Sequence, residues 1–449
     1  MESASEELLG QSGPHLRVVP PGPESRTWLT RAARCLAPMG PLPAKQESVV
    51  HSPAPGHTVV FQRGVGSNVF DVDGNRYVDL AAGFGALLLG HSPPAVLTAL
   101  ELQAHRLLQA QGDVYPSDAK IGLSERLCSL FPEPGARVIL GQSGADAVTA
   151  ALKTAVLVSG RPGVIAFRSS YHGLSYAPLA ASGLRESYRA PFVAQLNPHV
   201  QFLDYPIDAN SAERLLQAVK TQLALGNTGA VLIEPILGRG GVIVPPAGFL
   251  AQLAQLAKQY SALLIADEIW TGLGRSGELL YSHSQGVTAD VVCLGKGMGG
   301  GLPISACIGR GEVMGAWRQD SEVVHTATFA GAPLACATAL ITLNQLSQHK
   351  LIERSRELGE RFKLRLQQSL IEAKLSLTVR GAGLMIAVDL GGKAGAAVAL
   401  SRTLLEHGYL VSTGGGEREV LVLTPALTIR EELLIEFCPV LIAALQRLG

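Results

Sequence analysis

Two charged residues, Lys296 and Asp267, each follow an apolar run and are each followed by a glycine-rich stretch. Lys296 lies in the segment DVVCLGKGMGGGLP at 290–303, and Asp267 lies in ALLIADEIWTGLGRSG at 262–277. An amine at the end of a strand, beside glycines that let a flat ligand approach the backbone, suits Schiff-base chemistry. A single lysine in such a place is more often only solvated. The lysine and the aspartate together predict an electrophilic cofactor bound between them.

Composition narrows the class of protein. The chain has 449 residues, of which 47% are hydrophobic and 16% charged, and its formal net charge is zero. This composition predicts a folded protein with large cores and no basic surface for nucleic acid or anionic membranes. The apolar runs are too short or too interrupted to span a bilayer. The acidic start lacks the features of a targeting peptide, and the six dispersed cysteines resemble buried thiols, so we expect a cytoplasmic protein without a metal site.

The order of sequence patterns predicts an α/β fold. From about residue 90, continuous apolar strands alternate with helices, which indicates a parallel sheet buried on both faces. Functional groups should then gather beyond the carboxyl ends of the strands. The predicted strands are Val138–Leu140, Gly163–Phe167, Ala230–Ile233, Ala262–Ala266, Val291–Leu294 and Ser305–Ile308.

The rest of the chain predicts a second, smaller α+β domain. We expect a disordered tail at 1–25, an N-terminal segment at 26–88 that contributes to the small domain, a large domain at 89–340 and the remainder of the small domain at 341–449. The N-terminal segment reads as a β meander with a tight turn at Asp73-Gly74. The run Asp71-x-Asp73-x-Asn75 does not predict a calcium loop, because Arg76 stands at the sixth position. Residues 377–388 read as one strand.

Two further segments follow predicted strands. Gly141–Asp146 opens a predicted helix at 147–158, and the small residues there suit either a phosphate cradle or an ordinary helix capped by Ser143. Tyr171-His172 follows the strand that ends at Phe167 and delivers an aromatic ring to the same edge. The letters of a dinucleotide fingerprint at 272–277 lack the strand and helix they require, and Gly297 stands where a phosphate-binding loop needs Ser or Thr.

The combined signature, DEIWTGLGRSG with GKGMGGGLPI, resembles that of the class-III (ω-type) aminotransferases, pyridoxal-phosphate enzymes of fold type I. The resemblance covers roughly residues 20–445. It implies the PLP-dependent transferase fold, with a large domain whose mostly parallel sheet is flanked by helices and a smaller α+β domain. It also implies pyridoxal 5'-phosphate as the cofactor.

The resemblance implies a role for each candidate residue. Lys296 would bind the cofactor as an internal aldimine and move a proton at the substrate Cα. Asp267 would pair with the pyridinium nitrogen. Tyr171 would stack on one face of the ring and Ile269 would pack against the other. The remaining cofactor contacts would be Ser143, Gly144, Ala145, His172, Glu234, Trp270 and Thr328.

Thr328 carries an implication for assembly, and two positions depart from the family pattern. The family's threonine usually comes from the partner subunit, so the resemblance implies a homodimer. Ala145 stands where a hydroxyl residue is common, which keeps an amide but loses one hydrogen bond to phosphate. Trp270 stands where the family often has Gln beside the phenolic oxygen of the cofactor.

The implied substrate residues are Phe84, Arg239 and Arg380. Arg380 matches the family arginine that binds an α-carboxylate through two hydrogen bonds, although a structural salt bridge is the alternative. Arg239 stands where many relatives carry a glutamate that masks this arginine. Leu174 replaces a carboxylate-binding arginine. These changes predict an anionic substrate for Arg380 or Arg239, and a more apolar amine or amino acid than 4-aminobutyrate or ornithine.

The sequence therefore predicts an aminotransferase that moves an amino group from an amine or amino acid to a keto acid or aldehyde. A racemase, epimerase or aminomutase on the same scaffold is the first alternative, because these reactions begin with the same removal of the Cα proton. The second alternative is a binding protein that kept the fold without the cofactor. The presence of both Lys296 and Asp267 disfavours that second alternative.

Overall fold

The computed structural model describes residues 9–37, 58–318 and 322–448. In chain order the strands are β1 (Phe61–Val65), β2 (Asn68–Asp71), β3 (Arg76–Asp79), β4 (Arg137–Gly141), β5 (Gly163–Phe167), β6 (Val200–Leu203), β7 (Thr228–Ile233), β8 (Leu263–Asp267), β9 (Val291–Leu294), β10 (Ser305–Gly309), β11 (Thr378–Ala382), β12 (Met385–Asp389), β13 (Tyr409–Leu410), β14 (Ser412–Gly414) and β15 (Val420–Leu423).

The helices are given in the same order. They are α1 (Pro23–Ala32), α2 (Ala82–Gly85), α3 (Pro94–Arg106), α4 (Asp118–Leu130), α5 (Gly144–Ser159), α6 (Tyr176–Ala181), α7 (Glu186–Arg189), α8 (Ala209–Ala224), α9 (Phe249–Gln259), α10 (Tyr281–Ser284), α11 (Gly311–Met314), α12 (Pro333–Gln348), α13 (Leu351–Glu372), α14 (Ala396–Leu405) and α15 (Glu431–Leu448). None of the helices in the described ranges has the length and apolar character needed to cross a bilayer.

The chain divides into two compact units. The first comprises residues 1–93 and 354–449, and the second comprises residues 94–353. The second boundary falls inside α13, so α12 lies wholly in the second unit. The predicted boundary after residue 340 instead places the last residues of α12 in the small domain. A long helical pattern such as the one through α12 and α13 carries no local signal for the point at which its packing partners change.

The second unit is built on a seven-stranded sheet in the order β4-β10-β9-β8-β7-β5-β6. The neighbours from β9 to β6 are all parallel, as predicted. Strand β6 was not predicted. It is the edge strand and is only partly buried, so it lacks the continuous apolar run that identifies the inner strands.

Strand β10 is an exception to the predicted parallel arrangement. It runs antiparallel to both β4 and β9. It begins eleven residues after β9 ends, at Ser305 after Leu294, across the glycine-rich segment and without a crossover helix. Because a parallel connection needs a crossover of a dozen or more residues, the short connection fixes the antiparallel direction. The sheet is therefore mixed, although mostly parallel.

The core of the second unit joins α5 to the face of this sheet. Fully buried alanines along α5, among them Ala147 and Ala151, pack with Val291, Cys293 and Cys307 of the central strands. Small side chains let the helix backbone approach the sheet closely, and the apolar strands remove the remaining surface from water. The N-terminus of α5 is thereby held near the carboxyl ends of the strands.

The first unit corrects the prediction for the N-terminal tail. Residues 9–25, predicted to be disordered, are ordered against the meander β1-β2-β3. Ser12 is buried, and its backbone N–H donates to Asn68 Oδ1 at 3.0 Å. His15 bridges the backbone of Arg76. Contacts with residues more than fifty positions away order this tail, and its Ser, Gly and Pro content could not reveal them. Residues 1–8 lie outside the described ranges.

Of two turns in the first unit, one was predicted from the sequence and the other divides a segment that was predicted as a single strand. The predicted tight turn forms at Asp73-Gly74, where Gly74 has φ +83° and Asp71 Oδ1 accepts the N–H groups of Asp73 and Asn75. The predicted single strand at 377–388 is instead the antiparallel hairpin β11-β12. Gly383, with φ +53°, lies in its turn, because a left-handed backbone conformation is easily adopted by glycine.

Candidate active site

The candidate residues that follow the strands meet at one edge of the mixed sheet. Glu234 directly follows β7, Asp267 ends β8, and Lys296 follows β9 after a single glycine. Strands β8 and β9 are parallel, with Asp267 opposite Cys293. Strand β4 runs in the same direction as β9, because both are antiparallel to β10, and this brings Ser143 to the same edge. The edge therefore gathers the carboxyl ends of these strands, as the sequence predicted.

Lys296 has an unusual backbone and an unusual amine. Its φ of +40° lies in the left-handed region, which non-glycine residues seldom occupy away from functional sites. Its Nζ lies 4.1 Å from the centroid of the Trp270 ring. Burial lowers the pKa of Lys296 to about 7, against the opposing effects of the carboxylates of Asp267 and Glu234. A large share of the amine is therefore neutral, and so nucleophilic, near pH 7.

Asp267 forms a buried pair with His172. Asp267 Oδ2 lies 2.7 Å from His172 Nδ1, and Asp267 Oδ1 accepts the N–H of Ile269 at 3.1 Å. The histidine is held in turn by its backbone N–H, which donates to Ser182 Oγ at 3.0 Å. His172 Nε2 is buried and has no hydrogen-bond partner within the described residues. This arrangement holds a carboxylate in a fixed orientation in a region that excludes water.

Glu234 connects two loops through its carboxylate. Its Oε1 accepts the N–H of Tyr171 at 2.7 Å, and its Oε2 accepts the N–H of Gly238 at 3.0 Å. Tyr205 donates its hydroxyl to the backbone carbonyl of Glu234 at 3.0 Å. Burial raises the pKa of Glu234. In this structure Glu234 positions the Tyr171 loop and the loop that carries Arg239, while direct contact with a cofactor stays a prediction.

Arg239 and Tyr171 form a stacked pair. The guanidinium carbon of Arg239 lies 4.3 Å from the centroid of the Tyr171 ring. Arg239 is partly exposed, and within the described residues it has no carboxylate partner. A guanidinium on an aromatic face keeps its N–H donors available at its edge. Arg239 can therefore offer hydrogen bonds to an anion.

The N-terminus of α5 is both capped and open. Ser143 is the N-cap of a capping box with Asp146, whose Oδ2 accepts the N–H groups of Gln142 and Ser143 at 2.9 and 3.0 Å. The helix is therefore capped by Ser143, which is one of the two alternatives that the sequence left open; the other was a phosphate cradle. The amides of Gly144 and Ala145, at the first two helical positions, have no intrahelical acceptor and can bind an anion. The Ser143 amide is already paired with Asp146.

Close glycine contacts shape this edge. A Cβ at Gly144 would lie 2.8 Å from Ile269 Cδ1, and a Cβ at Gly238 would lie 2.5 Å from Trp270 Cε3. Ile269 is partly exposed, whereas Trp270 is buried. The two side chains that follow β8 thus pack against backbone that only glycine allows to come so near.

Thr328 lies in an exposed stretch of the second unit. Its backbone carbonyl accepts a hydrogen bond from Gln109 Nε2 at 2.6 Å, and neighbouring Val323 and Phe329 are also exposed. The structure comprises one chain, so the predicted contact of Thr328 with a partner's site stays a prediction.

Two predicted substrate residues belong to the first unit. Phe84 is exposed and has φ +60° in the short helix α2. Arg380 Nη1 lies 2.6 Å from Asp389 Oδ2 across the hairpin β11-β12. The structural salt bridge, which was the alternative for Arg380, is therefore present. Its role in binding a substrate carboxylate stays a prediction.

Two supporting contacts are absent from the sequence predictions. His172 was predicted as a cofactor contact, but its bond to Asp267, which is 95 residues away in the chain, was not. The role of Asp146, whose carboxylate accepts the N–H groups of Gln142 and Ser143, was not predicted either. The spacing of Ser143 and Asp146, which matches a capping box with Asp in the acidic position, was the available signal.

Comparison with known proteins identifies the family. The model of the aminotransferase class-III family matches residues 50–445. The acetylornithine aminotransferase of Methanothermobacter thermautotrophicus is 34% identical over 83% of this chain and 90% of that protein. The 4-aminobutyrate aminotransferase of Mycobacterium leprae is 32% identical over 84% of this chain and 89% of that protein.

A solved structure extends the likeness to the whole fold. It is an amine transaminase from an uncultivated Pseudomonas species in its PLP-bound form. The superposition covers 92% of this chain and 99% of the transaminase chain. The TM-score is 0.83 at 29% identity. The fold is therefore the PLP-dependent transferase fold that the resemblance implied, and the chain belongs to the class-III aminotransferases, enzymes that use pyridoxal 5'-phosphate to move an amino group between two substrates.

Proposed function

We propose that this aminotransferase transfers the amino group to an anionic keto acid, and that this keto acid binds Arg239. We also propose that the amino donor is more apolar than 4-aminobutyrate or ornithine. The observation that carries this proposal is the guanidinium of Arg239, 4.3 Å from the Tyr171 ring and without a carboxylate partner in the described part of the chain. Leu174, which is exposed and lies three residues after Tyr171, supports the proposal of an apolar donor, because its side chain offers no charge to a second carboxylate.

The residues at the sheet edge fit pyridoxal phosphate. The buried, unpartnered polar atoms His172 Nε2 and Trp270 Nε1 need polar partners, and the free amides of Gly144 and Ala145 suit a phosphate. When bound, the cofactor supplies an aldehyde that takes up an amino group and a ring that accepts electron density. We propose that Asp267 supplies the negative charge beside the ring nitrogen, because its carboxylate is buried and fixed by two hydrogen bonds.

Further steps of the proposed mechanism belong to Lys296 and the two loops that Glu234 connects. Lys296 would hold the cofactor through its neutral amine, with water lost when the amine condenses with the aldehyde, and the freed amine would take the proton from the substrate Cα. Tyr171, whose backbone N–H donates to Glu234, would cover one face of the cofactor ring. Ile269, which packs closely against Gly144, would pack on the opposite face of the ring.

We also propose a homodimer in which Thr328 reaches the partner's phosphate site. The exposed apolar side chains of Val323 and Phe329 beside Thr328 support burial of this stretch in an assembly. Arg380 is proposed as a second carboxylate site, available when the substrate anion displaces Asp389. A cytoplasmic location stays a prediction, supported by the six free thiols.

The depressed pKa of Lys296 predicts how its reactivity depends on pH. In the cofactor-free protein, the rate of acylation at Lys296 should rise with pH up to about 7 and then level off, because only the neutral amine reacts. An ordinary lysine would continue to gain reactivity up to a pH of about 10.4. Mass spectrometry of the acylated peptide measures the rate at this residue. A plateau only above about pH 9 would contradict the buried environment assigned to the amine.

The anionic acceptor is tested by the substitution Arg239→Glu. We expect kcat/KM for dicarboxylic keto acids to fall by about 100-fold, because a like charge then faces the substrate anion. Uncharged aldehyde acceptors should be affected far less. The measurement is the half-reaction of the amino-loaded enzyme with a panel of keto acids and aldehydes.

The matched control is Arg63→Glu, which reverses another arginine that stacks on an aromatic ring, in this case Phe70 in the first unit. Its kinetics should match those of the parent. Efficient turnover of 4-aminobutyrate or ornithine, together with unchanged kinetics of the Arg239 variant, would contradict the proposal.

A further inference from the structure

Trp270 occupies a central place among the residues around Lys296. It lies three residues after β8 and is 7% exposed, and the face of its ring is 4.1 Å from Lys296 Nζ. The edge of the ring opposite the indole nitrogen packs against Gly238, where a Cβ would lie 2.5 Å from Cε3. Glu234 fixes Gly238 through its N–H. The indole is thus held from behind by a backbone segment that is itself anchored.

The ring face and the ring nitrogen have different chemistry. An aromatic face attracts a cation, and among the aromatic side chains Trp does so most strongly. This attraction favours the ammonium form of Lys296, whereas burial favours the neutral amine. The indole Nε1–H can only donate, and it is buried without an acceptor in the described part of the chain. A buried donor of this kind calls for an acceptor that arrives with a ligand.

The charged groups around the amine do not replace this contact. Asp267 and Glu234 favour the ammonium form, while Arg239 and Arg275 oppose it. The carboxylates of Asp267 and Glu234 are already hydrogen-bonded to His172 and to backbone amides. Neither carboxylate forms an ion pair with Lys296 in this structure. The indole face is therefore the contact that receives the free amine.

We infer that Trp270 is a positioning residue for Lys296: its ring face holds the free amine, and its Nε1–H donates to an oxygen of the bound cofactor. The inference rests on the proposed site, because it requires pyridoxal phosphate beside Lys296. One side chain would then serve both the resting amine and the loaded site.

The ring face is tested by the pH dependence of acylation at Lys296 in the full-length, cofactor-free protein. Replacing tryptophan with 5,7-difluorotryptophan keeps the shape of the ring and weakens its attraction for a cation. We expect the apparent pKa of Lys296 to fall by about half a pH unit, and to fall similarly in Trp270→Leu. The chain contains three tryptophans, so Trp317→Leu, which removes an indole bonded to Thr154, is the matched control.

The ring nitrogen is tested by the dissociation constant of pyridoxal phosphate. Trp270→Phe keeps a ring and removes the donor, so the constant should rise by about 5- to 10-fold. Trp270→Gln keeps a donor and removes the ring, so it should bind the cofactor more tightly than the Phe variant while its Lys296 pKa falls.

The inference requires both a lower Lys296 pKa in the fluorinated protein and weaker cofactor binding by the Trp270→Phe variant. A Lys296 pKa that is unchanged or higher in the fluorinated protein overturns the inference, and so does a Phe variant that binds the cofactor as tightly as the parent. Failure of the proposed function would instead appear in the parent, as a protein that binds the cofactor but transfers no amino group to an anionic keto acid.

Discussion

Replacing Lys296 with alanine is expected to lower kcat for amino-group transfer by at least about 10⁴-fold, because it removes the group that we propose as both the nucleophile and the base for the Cα proton. The bound cofactor should also lose the visible absorbance that depends on its bond to the lysine. Single-turnover kinetics with an amino donor and absorbance spectroscopy of the same samples measure the two effects.

Two variants separate chemistry from charge and folding. Lys296→Arg keeps a cation but cannot form the bond to the cofactor, so it should be as inactive as the alanine variant. Lys258→Ala removes an exposed lysine from α9 and should behave as the parent does. Retention of more than about a tenth of the parent kcat in both Lys296 variants would show that another group performs the proton transfer.

Replacing Asp267 with asparagine is expected to lower kcat by about 10²- to 10³-fold. The amide keeps the size of the side chain and an acceptor for the Ile269 N–H, but it removes the negative charge that we propose for the ring nitrogen of the cofactor. It also places an amide opposite His172 Nδ1, where the carboxylate now lies at 2.7 Å. Pre-steady-state kinetics should place the loss in the removal of the Cα proton, with a smaller effect on cofactor binding.

Asp290 offers the matched control, because it is a partly buried carboxylate just before β9, beyond the opposite end of the same strands. Its Oδ2 accepts the N–H of Leu264 at 2.8 Å, and burial raises its pKa. Asp290→Asn should change the free energy of unfolding by about 1–3 kcal/mol and leave kcat near the parent value. Equal losses of kcat in the Asp267 and Asp290 variants would mean that Asp267 acts through stability alone.

Local sequence patterns were sufficient to predict the limits of strands that are buried at every residue. Strands β5 and β9 have the predicted limits, and both are buried at every residue. Continuous apolar runs bounded by glycine and polar residues carry this signal without reference to the rest of the fold. The edge strand β6 has mixed burial and carried a weaker signal. Strand β10 is buried at every residue and was predicted as a strand, but its antiparallel direction depends on the length of the connection from β9.

The sequence by itself determined the family, the cofactor and the order of the strands along the chain, because the motifs around Asp267 and Lys296 combine residue types and spacings that few folds share. The tertiary structure decided which groups touch. It placed His172 on Asp267, the Trp270 ring on Lys296, and the amides of Tyr171 and Gly238 on Glu234. Most of these partners are dozens of residues apart, and packing of the strands and loops brings them together, so no local pattern could specify their contacts.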